Sequence, residues 1–213
     1  MDGRQLYRLV TPIFLHGDVA HLVSNTMALN SVGPDVETFF GRNRFLATYF
    51  VSGIVGCLAS AIKDPMPSVG ASGAIFGLTG AQAVFLTRNR RFLGRSADYA
   101  LDGLKQTIFF NLVSGMRSSR IDNWGHIGGL VGGAACSYLF GPRLFVADMG
   151  DGRRRLVDRP VIKLPRSFGQ FTSVVSSKYK RIMRRMQVSR YQNELSRKPW
   201  ARSQSTSTST SST

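Results

Sequence analysis

The chain has 213 residues, 43% of them hydrophobic, and a formal net charge of +16, enough for one domain or two small ones. Its two cysteines, Cys57 and Cys136, lie in apolar runs without a CxxC partner or metal-type spacing; they read as packing residues, and a disulfide scaffold or zinc module is excluded. Residues 1–141 carry 12 Lys+Arg against 8 Asp+Glu, whereas residues 142–213 carry 16 against 4. The basicity therefore belongs mainly to a tail, and with no recognisable nucleic-acid motif it implies no nucleic-acid partner.

Residues 1–18 lack the pattern of a secretory signal or a transit peptide, and they read as an extracytoplasmic loop segment. Residues 19–141 predict an all-α, polytopic membrane bundle, with five helices at about 19–39, 44–62, 71–88, 99–115 and 124–141, since a span needs about 20 mostly apolar residues. The first of these is the most polar, interrupted by Ser24, Asn25, Thr26, Asn30 and Ser31. Such a helix is costly in lipid unless it lines a cavity, so its polar face is where function is expected. The fourth carries Asp102 and Lys105 in its first turns, from where both reach the interface. Residues 142–213 contain Pro142, Pro160, Pro165 and Pro199, the runs RRR at 153–155 and KYKRIMRR at 178–185, and a terminal STSTSTSST. This stretch predicts a basic, Ser/Thr-rich, largely disordered tail lying against anionic headgroups.

Arginines and lysines orient the five spans. Arg42 and Arg44, then Arg88, Arg90, Arg91 and Arg95, then the tail, fall on one side; Arg4, Arg8, Lys63, Arg117 and Arg120 fall on the other. The tail is placed inside and residues 1–18 outside. An outside N-terminus without a signal predicts one more helix upstream of Met1, giving a six-helix core. In this arrangement Ser72, His126 and His21 all begin their helices at the outside face.

That shared depth points to chemistry. A serine hydroxyl becomes a useful nucleophile only when a base within hydrogen-bond reach takes its proton. Two membrane helices approach that closely only through small residues. The Ser72 helix offers Gly73 and Gly77, and the His126 helix offers Gly125, Gly129 and Gly133. His21 and Asn25, spaced i, i+4, share one helix face, and with the backbone N–H of Ser72 they are the candidate donors for an oxyanion. Ordinary helix packing is the bland explanation of each string alone; the two together at one depth are the specific signal. Asp122, four residues before His126, is placed to orient it, and a dyad without a third member is equally open. His16 reads as structural. No HExxH, membrane aspartate pair, third metal ligand or phosphate loop is present, so neither a metal nor a cofactor is expected.

The strings YRLVTPIFLH at 7–16, HLVSN at 21–25, GPDVETFFG at 33–41, GASGAIFGL at 70–78 and NWGHIGGLVGG at 123–133, taken in order, resemble the rhomboid intramembrane serine proteases. The resemblance implies a six-helix core with a water-filled cavity open to the extracytoplasmic side, and cleavage of membrane-anchored substrates near their helix ends. It implies Ser72 as nucleophile, His126 as general base, and His21 with Asn25 as the oxyanion pair. It also implies organising roles for Arg8 and Glu37, and structural roles for Gly70, Gly73, Gly129 and Gly133. Tyr7 stands where the family usually has Trp, Phe76 stands where some members have a Tyr that stacks on the histidine, and the first helix is absent. The tail and the spelling GASGAIFGL are similar to plant plastid rhomboid-like proteins. That similarity implies a multi-pass protein of the plastid inner envelope, with its tail on the stromal or cytosolic side. The competing reading is a rhomboid-like protein that binds or escorts membrane helices without cutting them, inactive for want of its first helix. A third, a small transporter, would require inverted repeats or paired midplane charges, which the sequence lacks.

Overall fold

The computed structural model describes residues 7–63, 68–118, 121–148 and 154–162. A 3-10 turn at Thr11–Phe14 precedes helices α1 (Val19–Phe40), α2 (Arg42–Lys63), α3 (Ser72–Arg88), the single turn α4 (Arg90–Leu93), α5 (Arg95–Met116) and α6 (Asn123–Phe140). Strands β1 (Leu144–Asp148) and β2 (Arg154–Asp158) follow as an antiparallel pair, with Leu144 opposite Asp158. The fold is a helical bundle, the class expected from the sequence.

Local chemistry sets the element ends. Asp18 caps α1 by accepting the His21 N–H at 2.7 Å, and Asp122 caps α6 by accepting the Gly125 N–H at 2.8 Å, each satisfying a donor that the first helical turn leaves free. Only Gly41 separates α1 from α2. Its φ of 79° is open to glycine at little cost, and its N–H closes on the Glu37 carbonyl at 2.8 Å.

Helices α2 and α6 are sided in the opposite sense to those of a water-soluble protein. On α6 the buried residues are Gly125, His126, Gly128, Gly129, Gly132, Gly133 and Ser137, while Ile127 and Val131 face outward. On α2 the buried set is Thr48, Ser52, Gly53, Gly56 and Ser60, and Val51, Leu58 and Ile62 are exposed. Small residues inside and large apolar residues outside is how helices associate in lipid, where close packing replaces the hydrophobic drive. Helices α2, α3 and α6 make the closest set of contacts in the bundle. Among the described residues one helix, α2, is long and apolar enough by itself to cross a membrane.

A more familiar core lies at the other end of α3. Val36, Phe40, Leu78, Ala81, Phe85, Leu86 and Ala97 form one buried cluster, and the Phe39 and Phe85 rings stack with centroids 4.6 Å apart. Beyond it the structure corrects one expectation. Within the stretch read as the start of a largely disordered tail, the strands Leu144–Asp148 and Arg154–Asp158 pair and dock on the bundle. Asn89, fully buried, donates to the carbonyls of Phe85 and Pro142 at 2.9 and 3.1 Å and accepts the Leu144 N–H at 2.8 Å. Arg44 on α2 pairs with Asp158, which also accepts the Arg143 N–H at 2.9 Å. These bonds, with Leu144 buried beneath them, hold the hairpin in place. Residues 163–213, including the expected short basic helix, lie outside the described residues.

The segment expected as a loop at 88–98 is likewise helical for most of its length. Arginine is a good helix former, and only Gly94, with φ 63°, breaks α4 from α5.

Candidate active site

Ser72 is the first residue of α3. The helix's first internal bond runs from the Ile75 N–H to the Ala71 carbonyl, and Ala71 offers no side-chain cap. The N–H groups of Ser72, Gly73 and Ala74 are therefore left without an intrahelical acceptor, at the positive end of the helix dipole. The approach to Ser72 is fixed from outside the helix: the Gly70 N–H donates to the Pro12 carbonyl at 2.9 Å, and the next residue, Ile13, is buried against Gly53 of α2. The 3-10 turn thus anchors the segment leading to Ser72 to the body of the bundle.

His126 is buried in the first turn of α6, and its Nε2 lies 2.8 Å from Ser72 Oγ. The Phe76 ring lies over the imidazole, centroids 4.3 Å apart and planes 7° from parallel, so ring rotation is blocked on that face. A glycine seam permits this distance. A Cβ placed on Gly129 would meet the Gly73 carbonyl oxygen, and one on Gly133 the Gly77 carbonyl oxygen, well inside van der Waals contact. The Gly56 and Gly73 sites likewise face the Gly125 carbonyl, at 2.7 and 3.2 Å from the position a Cβ would take. With both backbones in contact, the side chains at Ser72 and His126 span only a hydrogen bond.

Asp122 is turned to other work. Its carboxylate accepts the Gly125 N–H and the hydroxyls of Ser60, at the end of α2, and Ser68, four residues ahead of Ser72. Burial pushes the carboxyl's pKa up, but the Ser60, Ser68 and Gly125 hydrogen bonds outweigh it and hold the group below the ordinary carboxylate range. His126 Nδ1, by contrast, is buried with no hydrogen-bond partner among the described residues. The Asp122 carboxylate is thus not hydrogen-bonded to the His126 ring among the described residues. Asp122 ties three segments together around it.

His21 and Asn25 both border Gly70, two residues ahead of Ser72. A Cβ on Gly70 would lie 2.8 Å from His21 Nε2 and 3.9 Å from Asn25 Nδ2, and its φ of 131° also calls for glycine. His21 Nδ1 accepts the Gly17 N–H at 3.4 Å, which leaves the ring proton on Nε2, the atom facing the Ser72 loop. Asn25, 7% exposed, gives one amide hydrogen to the His21 carbonyl at 2.9 Å and keeps the other. The His16 ring meets His21 edge-on, 5.3 Å between centroids, bracing it. Arg8 and Glu37 sit apart from this group: both are exposed, with no side-chain partner among the described residues. The turn after α1 is instead held by the Glu37 backbone carbonyl.

The sequence reading passed over α2, whose Ser52 and Ser60 complete the small-residue face. Ser52 Oγ bonds the carbonyls of Thr48 and Ala74, at 2.6 and 3.3 Å, and packs on Gly77. The spacing of Ser52, Gly53, Gly56 and Ser60 at helical intervals is the signal that would have exposed it.

Comparison with known proteins bears on the same stretch. A family model described as "Rhomboid domain" matches residues 3–143. The chain is 48% identical over 127 residues to rhomboid protease GluP of Bacillus subtilis, a match covering 60% of this chain and 24% of that protein. It is 34% identical over 135 residues to the putative rhomboid protease YdcA of the same bacterium, covering 62% and 66%. RHOMBOID-like protein 9, chloroplastic, of Arabidopsis thaliana is 30% identical over 151 residues, covering 70% and 34%. The matches thus span from about a quarter to two thirds of these relatives' lengths. The matched region contains every helix described above, the glycine seam and both members of the Ser72–His126 contact. This chain belongs to the rhomboid family of integral membrane proteins.

Proposed function

We propose that the protein is an intramembrane serine endopeptidase that cuts membrane-anchored proteins near or within a transmembrane helix. The observation that carries this reading is the 2.8 Å contact between Ser72 Oγ and His126 Nε2. In the proposed reaction Ser72 Oγ attacks the scissile carbonyl carbon while its proton passes to Nε2 of His126. The resulting oxyanion is met by the Ser72 N–H, His21 Nε2–H and the free amide hydrogen of Asn25. The His126 imidazolium then protonates the leaving amine, and water, deprotonated by the same ring, releases the acyl group. No metal or cofactor enters.

Helix length supports a site below the headgroups. The 17 residues of α3 extend about 26 Å, against about 30 Å of hydrocarbon. With its Arg88 end at the inner interface, Ser72 falls short of the outer one. The same orientation puts residues 1–18 outside and the tail inside. Relatives of this chain carry bacterial, mitochondrial and chloroplastic names, so the domain alone does not fix the compartment. A plastid inner-envelope location with the tail on the stromal or cytosolic side rests on the chloroplastic relative, and import of the tagged full chain into isolated chloroplasts tests it.

A fluorophosphonate probe tests the nucleophile. The full-length protein should be labelled at one site, and both Ser72→Ala and His126→Ala should abolish labelling; labelling that persists in Ser72→Ala overturns the assignment. The non-proteolytic reading draws no support from the site, where both reactive residues are present and within hydrogen-bond distance.

A further inference from the structure

At the end of the bundle opposite Ser72, the hairpin and the segment after it enclose an open-sided pocket of about 760 Å³, lined by Arg143, Phe145, Arg159, Pro160 and Val161. Two guanidinium groups flank the Phe145 ring, Arg143 at 4.7 Å and Arg91 at 5.8 Å from its centroid. The Arg159 N–H bonds the Arg143 carbonyl at 2.8 Å, which joins the third arginine to the same wall. Among the described residues none of these three arginines is ion-paired. The nearby carboxylate, Asp158, is taken up by Arg44 and by the Arg143 backbone N–H. Val146, Val161 and Ile162 lie exposed on the same hairpin and segment.

We infer that this pocket binds the phosphate headgroup of an anionic phospholipid of the inner leaflet. A guanidinium laid against an aromatic face keeps its in-plane N–H fork free, the geometry that grips a phosphate with two parallel bonds. Arg143 and Arg159 in the pocket wall, with Arg91 across the Phe145 ring, form a cluster with no paired carboxylate among the described residues, and such a cluster attracts an anion. The exposed Val146, Val161 and Ile162 provide the apolar ground on which acyl chains rest, so a lipid fits the surroundings better than a free anion. The arginine-rich end of α3 and α4 stands at the same end of the bundle, through Arg91 itself. The inference rests on the membrane placement of the family and not on the Ser72–His126 chemistry, so either can fail alone.

The test is thermal unfolding of the full-length protein in dodecyl maltoside micelles titrated with phosphatidylglycerol, phosphatidylcholine or free glycerol 3-phosphate. Phosphatidylglycerol should raise the unfolding temperature; the other two should not. Arg143→Gln/Arg159→Gln should weaken the apparent phosphatidylglycerol affinity about tenfold or more, since it removes the charge-assisted hydrogen bonds to the phosphate. Arg184→Gln/Arg185→Gln, which removes the same charge from the tail, should leave it unchanged. Arg143→Lys/Arg159→Lys keeps the charge without the fork; it should fold normally and still bind more weakly. An unchanged titration in the Lys pair, an equal loss in the tail pair, or an equal response to glycerol 3-phosphate overturns the inference.

Discussion

Where α3 leaves Ser72 it meets α6 backbone to backbone, so that a single added methyl on Gly129 or Gly133 would strike a carbonyl oxygen of α3. Where the same helix reaches Phe85, it is surrounded by the rings of Phe39 and Phe40 and by Val36, Leu86 and Ala97. Side chains can change rotamer to accommodate a neighbour; two packed backbones cannot. The reactive end of the bundle therefore holds its 2.8 Å contact by having nothing in the seam to adjust, whereas the far end stores its tolerance in side chains. Rigidity is put where the proposed proton transfer would need it.

The contrast is sharpest in Gly133→Ala against Phe85→Leu. The new methyl presses on the Gly77 carbonyl and should cost about 3 kcal/mol or more, whereas Phe85→Leu, which repacks among side chains, should cost about 1 kcal/mol. Thermal unfolding in detergent reads both. A Gly133→Ala protein that melts like wild type while Phe85→Leu fails would reverse the comparison.

Asn89→Ala probes the far end where its tolerance ends. It leaves the buried Leu144 N–H and Pro142 carbonyl without their partner, which should cost about 2 kcal/mol and free the hairpin to faster hydrogen exchange. If exchange in β1 is unaltered, the hairpin is held by something other than this side chain.

Asp122→Asn comes next, at about 1 kcal/mol: Asn still caps the helix, but the bonds from Ser60, Ser68 and Gly125 lose their charged acceptor. The folded carboxyl is held below its ordinary value by the Ser60, Ser68 and Gly125 bonds, which outweigh burial. Its contribution is therefore complete above about pH 4, the unfolded value, and is lost as pH falls through the lower folded value. The wild type should lose stability over that acid range, and Asp122→Asn should lose less. An identical acid profile in the two would show that Asp122 does not fasten the three segments.

Phe76→Leu should have the smallest effect on stability, about 0.5–1 kcal/mol for the lost ring pair. The imidazole then rocks more freely, and kcat should fall severalfold with KM nearly unchanged. A change confined to KM would mean that Phe76 meets substrate rather than His126.

Much of this was legible beforehand, for a physical reason. Long apolar runs and glycines at helical spacing leave few options in lipid, so the bundle class followed from the runs around Ser72 and His126. The hairpin did not. The short apolar runs Leu144–Ala147 and Leu156–Val157 flank an Asp151–Gly152 pair, a recognised turn signal, but the prolines and arginines around them averaged into a tail composition. Asn89 gave no signal either, because one amide serving three backbone groups on two elements is a consequence of where chains meet. The site was similarly divided. The i, i+4 spacing of His21 and Asn25 put them on one face, but only the structure showed that Asn25 spends one hydrogen on the His21 carbonyl, and that Asp122 is engaged by serines from α2 and from the segment before Ser72. The Asp122 partners are chosen by tertiary contact, which spacing along a single helix does not encode; the Asn25 bond is a local one from side chain to backbone within α1.

The most direct measurement is the cleavage rate of a membrane-anchored peptide by the full-length protein in proteoliposomes, compared among wild type, Ser72→Ala, His126→Ala and the double variant. If the two residues act as one unit across the glycine seam, each single change should lower kcat by about a thousandfold or more, and the double should lose no more than either single. Cleavage that survives Ser72→Ala, or losses that multiply in the double variant, would contradict it.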